Sequence, residues 1–277
     1  MPVITALNQK GGVGKTSTCH HLAGTLALMG RRVLLVDNDP QASLSQGFWG
    51  PQATMALDPA ATIAAVYAGD RPLPEQVIQP TGIPGIDILP SSQQATDYNV
   101  PRPYEAPWEM QACLREILGE VRDRYDLVLI DCPPNLHLCS WAALVASDHL
   151  IVPLQPEDYG AQGIIAVQDS VSLVRNGPNP DLSLLGFLIT MIAARKTVHK
   201  LYEATLREMY EADVFATTIP EAVDFVEAIY QRKPVAQYKP RSAAAKAIRA
   251  LADELFERLA ARDAERREVA RWASSTS

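Results

Sequence analysis

Two lysines enclose a short glycine-rich stretch near the start of the chain, which reads Lys10-Gly11-Gly12-Val13-Gly14-Lys15-Thr16. An apolar run at 3–7 precedes this stretch, and a helix-like run at 17–29 follows it. Strand, glycine turn and helix in this order are typical of a phosphate-binding loop. Glycines let backbone N–H groups turn inward, and the start of a helix adds unpaired donors. The pattern therefore predicts a nucleotide phosphate site.

Within this loop, two side chains have the chemistry for specific roles. Lys15 can reach the β- and γ-phosphates of a nucleotide, and the Thr16 hydroxyl can bind Mg²⁺. A chance glycine-rich turn is the alternative, but the strand and the helix flank the loop on the correct sides. The residues expected to bind the nucleotide here are Gly11, Gly12, Val13, Gly14, Lys15, Thr16 and Ser17.

The loop departs from the common pattern G-x-x-x-x-G-K-[ST] at its start. Gln9 stands where the pattern has its first glycine, and Lys10 adds a second lysine just before the glycines. Two lysines beside one triphosphate repel each other unless each meets its own negative charge.

Acidic residues end two other apolar runs. Asp37 and Asp39 follow the run at 33–36, and Asp131 ends the run at 127–130. Ligands of open α/β sheets bind beyond the carboxyl ends of the strands, so we expect Asp131 to hold Mg²⁺ opposite Thr16. A strand-end aspartate is often only a turn residue or a helix cap. An Asx turn explains one of Asp37 and Asp39, but not both beside a phosphate loop.

The elements that must position these residues alternate between strand and helix along the chain. This alternation predicts an α/β fold of the P-loop NTPase kind, with a mainly parallel twisted sheet and helices on both faces. We expect one domain over 1–261 and a charged, frayed tail over 262–277. The last helix should span about 242–261, with a short strand near 214–218. Prolines make 48–85 irregular, apart from a short helix at 60–67.

Composition narrows the class of protein. The 277 residues are 47% hydrophobic and 21% charged, which excludes wholesale disorder. The net charge is −7, so binding of nucleic acid requires a local basic patch. The four cysteines have no C-x-x-C spacing, which favours free thiols. The first strand starts at once and no apolar run approaches about 20 residues, so we expect a cytosolic protein without a signal peptide.

The loop K-G-G-V-G-K-T resembles the deviant Walker A motif of the ParA/MinD family of P-loop ATPases. The string Asp37-Asn38-Asp39-Pro40-Gln41 resembles that family's D-L-D-P-Q, with Asn38 in place of an apolar residue. Four further strings resemble the ParA branch: Asp131-Cys132-Pro133-Pro134, Pro153-Leu154-Gln155-Pro156-Glu157, Lys233-Pro234-Val235 and Tyr238-Lys239-Pro240-Arg241-Ser242.

The resemblance implies a mechanism. Lys10 would reach across an ATP-bound homodimer to the partner's phosphates, and Lys10, Lys15 and Asp39 would be catalytic, with Asp39 positioning the attacking water. Asp37 would support Mg²⁺ together with Thr16 and Asp131, and Pro220 would lie over the adenine. ATP and Mg²⁺ would be the cofactors. A ParB-like or adaptor protein would raise a slow hydrolysis.

The resemblance also implies non-specific DNA binding, by which the protein would segregate or position a cargo on the nucleoid. The family's loop I-P-R-N-V-R is here Ile219-Pro220-Glu221-Ala222-Val223-Asp224, so two basic positions are acidic. Other basic residues could compensate, or could form an ordinary solvated surface. The candidate DNA contacts are Arg195, Lys196, Lys200, Arg241 and Lys246.

Three alternatives stay open at this point. One is an ATPase that positions a protein assembly without touching DNA, which the residues Glu221 and Asp224 favour. Another is a membrane-cycling MinD-like protein, although the mixed charge of the tail argues against stable membrane insertion. The last is a metabolic enzyme of the dethiobiotin synthetase type, for which nothing in the sequence specifies a small-molecule acceptor.

Overall fold

A computed structural model describes residues 1–156, 160–193 and 195–275. In these residues one sheet has the strand order β3-β4-β2-β5-β1-β6-β7. The short edge strand β3 is antiparallel to β4, and the other neighbours are parallel. The strands are β1 Val3–Ala6, β2 Val33–Asp37, β3 Gln79–Pro80, β4 Ile86–Leu89, β5 Leu127–Asp131, β6 His149–Leu154 and β7 Ser183–Ile189.

Helices cover both faces of this sheet, which confirms the predicted fold class. None of the helices in the described ranges could cross a membrane. In chain order they are α1 Lys15–Leu28, α2 Ser43–Trp49, α3 Pro51–Met55, α4 Ile63–Ala68, α5 Pro74–Val77, α6 Trp108–Glu120, α7 Leu138–Ala146, α8 Gly160–Arg175, α9 Thr197–Tyr210, α10 Val223–Tyr230, α11 Val235–Tyr238 and α12 Ala243–Ser275.

Two hydrophobic cores lie on opposite faces of the sheet because side chains alternate along each strand. Val33 and Leu35 point into one core, which α1 and α12 cover. Leu34 and Val36 point into the other, which α4, α6 and α7 cover. Because both faces of these strands are buried, their sequences are continuously apolar and do not alternate between apolar and polar residues. The four cysteines are buried free thiols, as expected.

The register of the central strands brings the candidate site together. Asp131 at the end of β5 is level with Ala6 at the end of β1 and with Asp37 at the end of β2. The glycine loop begins just after Ala6 and ends at Lys15, where α1 starts. Parallel pairing in this register therefore places the loop and both carboxylates at one edge of the sheet.

The predicted strand near 214–218 is wrong. Val214 makes one parallel bridge with Phe187 and no further ladder is described. The reason lies in Arg258, whose guanidinium donates to the backbone oxygens of Leu185, Ala212 and Val214 at 3.1, 2.9 and 2.7 Å. A side chain thus takes carbonyls that a strand ladder would use.

The predicted end of the last helix near 261 is also wrong, since α12 continues to Ser275. Arg262 donates to the oxygen of Leu184 at 3.1 Å, and Arg266 donates to that of Asp181 at 2.6 Å. These bonds hold the first charged turns against the start of β7. A domain boundary at 261 and fraying of the tail in solution stay predictions.

The region 48–85 contains more helix than the prolines suggested. Beside α4, the helices α3 and α5 begin at Pro51 and Pro74. Proline is well tolerated in the first turn of a helix, where its missing N–H has no intrahelical partner to lose. Here these prolines start short helices instead of interrupting structure.

Candidate active site

The glycine loop has the backbone geometry of a phosphate cradle. Gly12 and Gly14 have φ values of 77° and 86°, a conformation that side-chain-bearing residues rarely adopt. Gly14 caps α1, so the first unpaired N–H groups of that helix open towards the loop. The exposed Gly11 and Gly12 and the half-buried Thr16 and Ser17 leave this side of the loop accessible to phosphate.

Residues outside the loop fix its shape, and the sequence did not single them out for this role. Asn8 donates to the oxygen of Pro153 at 2.7 Å and accepts from the N–H of Lys10 at 2.9 Å. Thr190 donates to the oxygen of Val13 at 2.8 Å. Gln155 donates to the oxygen of Gly12 at 3.2 Å. The ends of β6 and β7 therefore hold the loop against the sheet.

Lys15 is buried within the loop, with 6% of its surface exposed. Its ammonium donates to the backbone oxygens of Asn8 at 2.9 Å and Lys10 at 3.1 Å. Burial lowers the pKa of Lys15, and the charges of Asp131 and Asp39 oppose that shift. An ammonium held by neutral carbonyls can exchange them for phosphate oxygens, which bind it more strongly. Lys10, at the other end of the glycines, is half-buried.

Asp37 and Asp131 face each other at the ends of β2 and β5, and both are fully buried. One oxygen of Asp37 accepts from the N–H and the hydroxyl of Ser45 at 2.8 and 2.6 Å. The other oxygen of Asp37 and both oxygens of Asp131 lack a hydrogen-bond partner among the described residues. Three buried carboxylate oxygens therefore lie together without a well-formed hydrogen bond among the described residues, although the Thr16 hydroxyl interacts with Asp131.

Burial raises the pKa of both carboxyls, that of Asp37 to about 7 and that of Asp131 well above its usual range. The charge of Asp39 acts in the same direction on both and that of Asp37 does so on Asp131, whereas the bonds from Ser45 lower the pKa of Asp37. The nearby Thr16 hydroxyl opposes the shift at Asp131. A divalent cation would relieve this repulsion and supply the missing partners.

The residues present fit Mg²⁺ but not a metal held by protein alone. The described residues contain no group of three His, Cys, Asp or Glu side chains placed to hold an ion. Mg²⁺ usually takes one or two carboxylates and completes its shell with water and substrate phosphates. Asp131, Asp37 and the hydroxyl of Thr16 beside the phosphate loop match that ligand set.

Asp39 differs from the other two carboxylates because it is half-buried. It accepts from the N–H of Gln41 at 3.0 Å. Burial raises its pKa, whereas the bond from Gln41 and the charge of Lys15 lower it. The side chain is thus oriented and lies within the field of the loop lysine, while part of it remains open to solvent.

Asn38, between the two aspartates, had no explanation from the sequence. The structure buries it fully and gives its side chain two partners. Its amide donates to the oxygen of Cys139 at 2.6 Å and accepts from the Tyr67 hydroxyl at 2.8 Å.

An apolar cavity of about 450 Å³ adjoins the loop beside Gly14, Ser17 and Thr18. Its other side is formed by the segment at 219–223 and by α10, through Pro220, Phe225 and further apolar residues. Backbone bonds of 3.0 and 3.1 Å between Ile192 and the 219–221 segment fix that wall. The cavity is large and apolar enough for a nucleoside, which supports the assignment of Pro220 to nucleotide contact.

The candidate DNA-binding residues form two groups on different elements. Arg195, Lys196 and Lys200 are exposed at the start of α9. Arg241 and Lys246 are exposed at the start of α12. Arg207, further along α9, pairs with Glu203 at 2.9 Å and donates to the backbone oxygens of Phe215 and Ala216.

The two acidic departures from the family's loop have basic partners in the structure. Glu221 lies 3.5 Å from the ammonium of Lys196. Asp224 lies 2.7 Å from the ammonium of Lys239, which also contacts Glu227. Lys239 stands where the family string it resembles, Y-D-P-R-S, has an aspartate, and Asp224 stands where the family's loop has an arginine, so both positions of this ion pair carry the opposite charge here. The acidic residues are therefore partly neutralised within the fold.

A strand, a glycine loop, a helix start and strand-end carboxylates in this arrangement define a P-loop nucleoside triphosphatase. Residues 1–184 match the AAA_31 family model, described as "AAA domain".

Relatives extend over nearly the whole chain. The chromosome-partitioning ATPase Soj of Thermus thermophilus is 38% identical over 256 residues, covering 92% of this chain and 96% of the relative. The chromosome partitioning protein ParA of Myxococcus xanthus is 34% identical over 256 residues, covering 92% and 88%.

Solved structures agree with this relationship. Cobyrinic acid a,c-diamide synthase of Mycobacterium smegmatis with bound ADP and magnesium has a TM-score of 0.77 at 30% identity, covering 92% of this chain and 94% of that one. The cell division ATPase MinD of Pyrococcus furiosus has a TM-score of 0.70 at 25% identity, covering 92% and 98%. The chain belongs to the ParA/MinD family of P-loop ATPases, with its sequence relatives in the ParA/Soj branch.

Proposed function

We propose that the chain is an ATP-dependent dimeric switch that binds DNA non-specifically and segregates or positions a plasmid, a chromosome or a protein assembly. One observation carries the proposal: a loop with two lysines lies beside two buried carboxylates that have three unpaired oxygens among the described residues. Family membership and the relative with bound ADP and magnesium support ATP and Mg²⁺ as its ligands. The protein works in the cytoplasm, with a fraction on the nucleoid.

In this proposal the backbone N–H groups of 11–17 hold the phosphates, and Lys15 leaves the carbonyls of Asn8 and Lys10 to meet them. Thr16, Asp37 and Asp131 hold Mg²⁺, which neutralises charge on the phosphate oxygens when it is bound. Pro220 and the apolar cavity receive the nucleoside.

Asp39 orients a water molecule for attack. The water oxygen bonds to the γ-phosphorus while the bond from that phosphorus to the β–γ bridging oxygen breaks. The electron pair of the broken bond stays on ADP and one proton of the water passes to solvent, which gives ADP and inorganic phosphate. The protein's own contribution is positioning and charge stabilisation, as in other phosphoryl transfers. Turnover is slow alone and is raised by a ParB-like or adaptor protein.

Lys10 serves the partner copy in the dimer. Lys15 already lies inside its own loop, held by that loop's carbonyls. A second ammonium beside the same phosphates would be repelled by the first unless further negative charge were present. Two copies meeting face to face, each with its own nucleotide, supply that charge.

The test is size analysis of the chain with ATP and Mg²⁺. Asp39→Ala should accumulate as a dimer, because it binds ATP and cannot complete hydrolysis. Lys10→Ala should remain a monomer at the same concentration. The parent chain with ADP is the control and should also be monomeric. If both variants behave like the parent, the switch mechanism is wrong.

DNA binding is tested separately, because the acidic residues Glu221 and Asp224 favour a second function. In that alternative the ATPase positions a protein assembly without touching DNA. An electrophoretic shift with random-sequence duplex, with and without ATP, distinguishes the two. In the DNA-binding case, Lys200→Ala and Lys246→Ala should each reduce the slope of affinity against salt by about 1. The control is Arg124→Ala. Arg124 is an exposed cation just before β5, and it pairs with Glu75.

A further inference from the structure

We propose that Asn38 is a positioning residue for hydrolysis, which fixes the carboxylates of Asp37 and Asp39 through a buried bridge to Tyr67 and Cys139. This inference rests on the proposed ATPase and names a further residue on which its rate depends. Asn38 is the link between the two aspartates in the chain, and none of its surface is exposed. It touches no phosphate position and acts only through its neighbours.

The backbone N–H of Asn38 and both ends of its side-chain amide form hydrogen bonds. Its backbone N–H donates to the oxygen of Asp131 at 2.9 Å, which continues the β2–β5 pairing one residue past Asp37. Its side-chain amide donates to the oxygen of Cys139 at 2.6 Å, in the first turn of α7. Its side-chain oxygen accepts from the hydroxyl of Tyr67, in α4, at 2.8 Å. Three separate elements therefore hold one residue.

The surroundings make this bridge rigid. Tyr67 is 1% exposed and Asn38 is 0% exposed, so water cannot replace a bond that breaks. An unpaired polar group in a buried site costs about 1–3 kcal/mol, and a shift of the segment would leave several groups unpaired at once. The backbone at 37–39 is thus confined to one position relative to Asp131.

The bridge acts together with the bonds that orient the two carboxylates. Ser45 holds the side chain of Asp37, and the N–H of Gln41 holds that of Asp39. Those bonds set the rotamers, whereas Asn38 sets where the Cα atoms stand. A backbone displacement of about 1 Å at a reacting group can cost about 100-fold in rate.

Replacing Asn38 by the family's apolar residue gives a direct test. Asn38→Leu is similar in size and removes both side-chain bonds, so the Tyr67 hydroxyl becomes a buried donor without its acceptor. Tyr67→Phe in the same chain removes that orphaned hydroxyl. Replacing both partners of a buried bond is less costly than replacing one. The double variant should therefore recover part of the kcat that Asn38→Leu loses.

The chain offers a matched control in Gln111. Its buried amide donates to the oxygen of Ala106 at 2.7 Å and accepts from the indole N–H of Trp141 at 2.8 Å. Gln111→Leu therefore breaks the same two kinds of bond, one to a backbone oxygen and one from an aromatic side chain. Gln111 lies on α6, and among the described residues its side chain has no hydrogen bond to Asp37, Asp39 or Asp131.

The experiment measures kcat, KM and binding of a fluorescent ATP analogue for the parent, the single variant Asn38→Leu, the double variant and the control Gln111→Leu. Asn38→Leu should lower kcat roughly 10- to 100-fold and change analogue affinity less than about 3-fold, because the loop, not Asn38, binds the phosphates. Gln111→Leu should lose a similar amount of thermal stability and keep kcat within about 2-fold. The double variant should exceed Asn38→Leu in kcat.

Equal kcat for Asn38→Leu and Gln111→Leu, or losses that multiply in the double variant, would overturn the role of Asn38. A parent chain that binds ATP without hydrolysing it would instead overturn the proposed function. The two failures are therefore distinguishable in one set of measurements.

Discussion

Asp131 is fully buried at the end of β5, where the Thr16 hydroxyl interacts with it but neither of its oxygens has a well-formed hydrogen bond among the described residues. Burial, and then the charge of Asp37 opposite, raise its pKa well above the usual range. A buried charge without a partner costs several kcal/mol. The negative charge of this residue is therefore costly to the fold by itself, and in the proposed site it would serve to bind Mg²⁺.

Asp131→Asn should have opposite effects on the protein without Mg²⁺ and on the protein with ATP and Mg²⁺. In EDTA the variant should melt at or above the parent's temperature, because a neutral amide replaces an unsatisfied acid. With ATP and Mg²⁺ it should lose the thermal stabilisation that the parent shows, and its hydrolysis should fall by roughly 100-fold or more. Differential scanning calorimetry and a phosphate-release assay check both.

The control is Asp126→Asn, in the turn just before the same strand. Asp126 is partly exposed and accepts from the N–H of Arg32 at 2.7 Å, at the end of the sheet away from the loop. It should keep full stabilisation by ATP and Mg²⁺. Retention of that stabilisation by Asp131→Asn would contradict the metal assignment.

At the scale of elements, α1 connects the phosphate loop to the body of the protein. A Cβ on Gly24 would lie 2.0 Å from the Cβ of Pro234, so the helix packs directly on the segment before α11. His21 accepts from the N–H of Val235 at 3.0 Å. His20 packs on Phe48 of α2, with ring centroids 4.3 Å apart. The helix that starts at Lys15 is thus held from both sides.

The same packing predicts a pH dependence of stability. Burial, together with the nearby charge of Arg232, lowers the pKa of His20 to about 4, against an opposing contribution from the backbone of Lys233. His21, whose ring contacts that of His20, also has a lowered pKa, mainly through burial. The unfolded chain binds a proton near pH 6.5, so the contribution of His20 is present above that pH and is lost as the pH falls towards 4.

His20→Leu isolates this contribution, because other titrating groups are common to parent and variant. Between pH 7 and pH 5 the parent should lose about 2 kcal/mol more unfolding free energy than the variant. Urea denaturation at the two pH values measures the difference, and the pH 7 values give the baseline cost of the substitution. Parallel losses in both chains would show that His20 does not stay neutral in the fold.

At the scale of the whole molecule, Arg258 joins the C-terminal helix to the edge of the sheet. Besides its three bonds to backbone oxygens, it pairs with Glu254 at 2.9 Å and stacks 4.2 Å from the ring of Phe215. Only 19% of its side chain is exposed. These contacts span more than forty positions of the chain, from Ala212 and Val214 to the helix.

Arg258→Met keeps the length of the side chain and removes the charge. It should lower the unfolding free energy by about 2–4 kcal/mol, because several carbonyls and Glu254 lose their partner. Arg249→Ala, whose partner Asp253 is also exposed, should cost less than about 1 kcal/mol. Chemical denaturation of both variants measures the two values. Equal costs would mean that Arg258 is an ordinary surface ion pair.

Much of the fold follows from local patterns. The apolar runs at 33–36 and 127–130 form β2 and β5, and the helix-like run at 17–29 matches α1 to within two residues, because an apolar run and a helical period are readable from neighbouring residues. The region 48–85 was not predictable in detail. A proline that begins a helix and one that interrupts it look alike in sequence, and only the packing of α3 and α5 decides between them.

The sequence alone determined the phosphate loop, its two lysines and the strand ends that carry Asp37, Asp39 and Asp131. These features are local, because the glycine turn, the strand before it and the helix after it are all readable from neighbouring residues. The sequence could also identify the family, since its motifs are contiguous strings.

The tertiary structure alone decided which distant groups complete the site. Tyr67 and Cys139 lie 29 and 101 positions from Asn38 and still meet it in the core. The facing of Asp37 and Asp131, the cavity beside Pro220 and the exchanged pair of Asp224 and Lys239 depend in the same way on strand register and helix packing. Sequence order does not encode such distances, because they arise only when separate elements bury their apolar faces against one sheet.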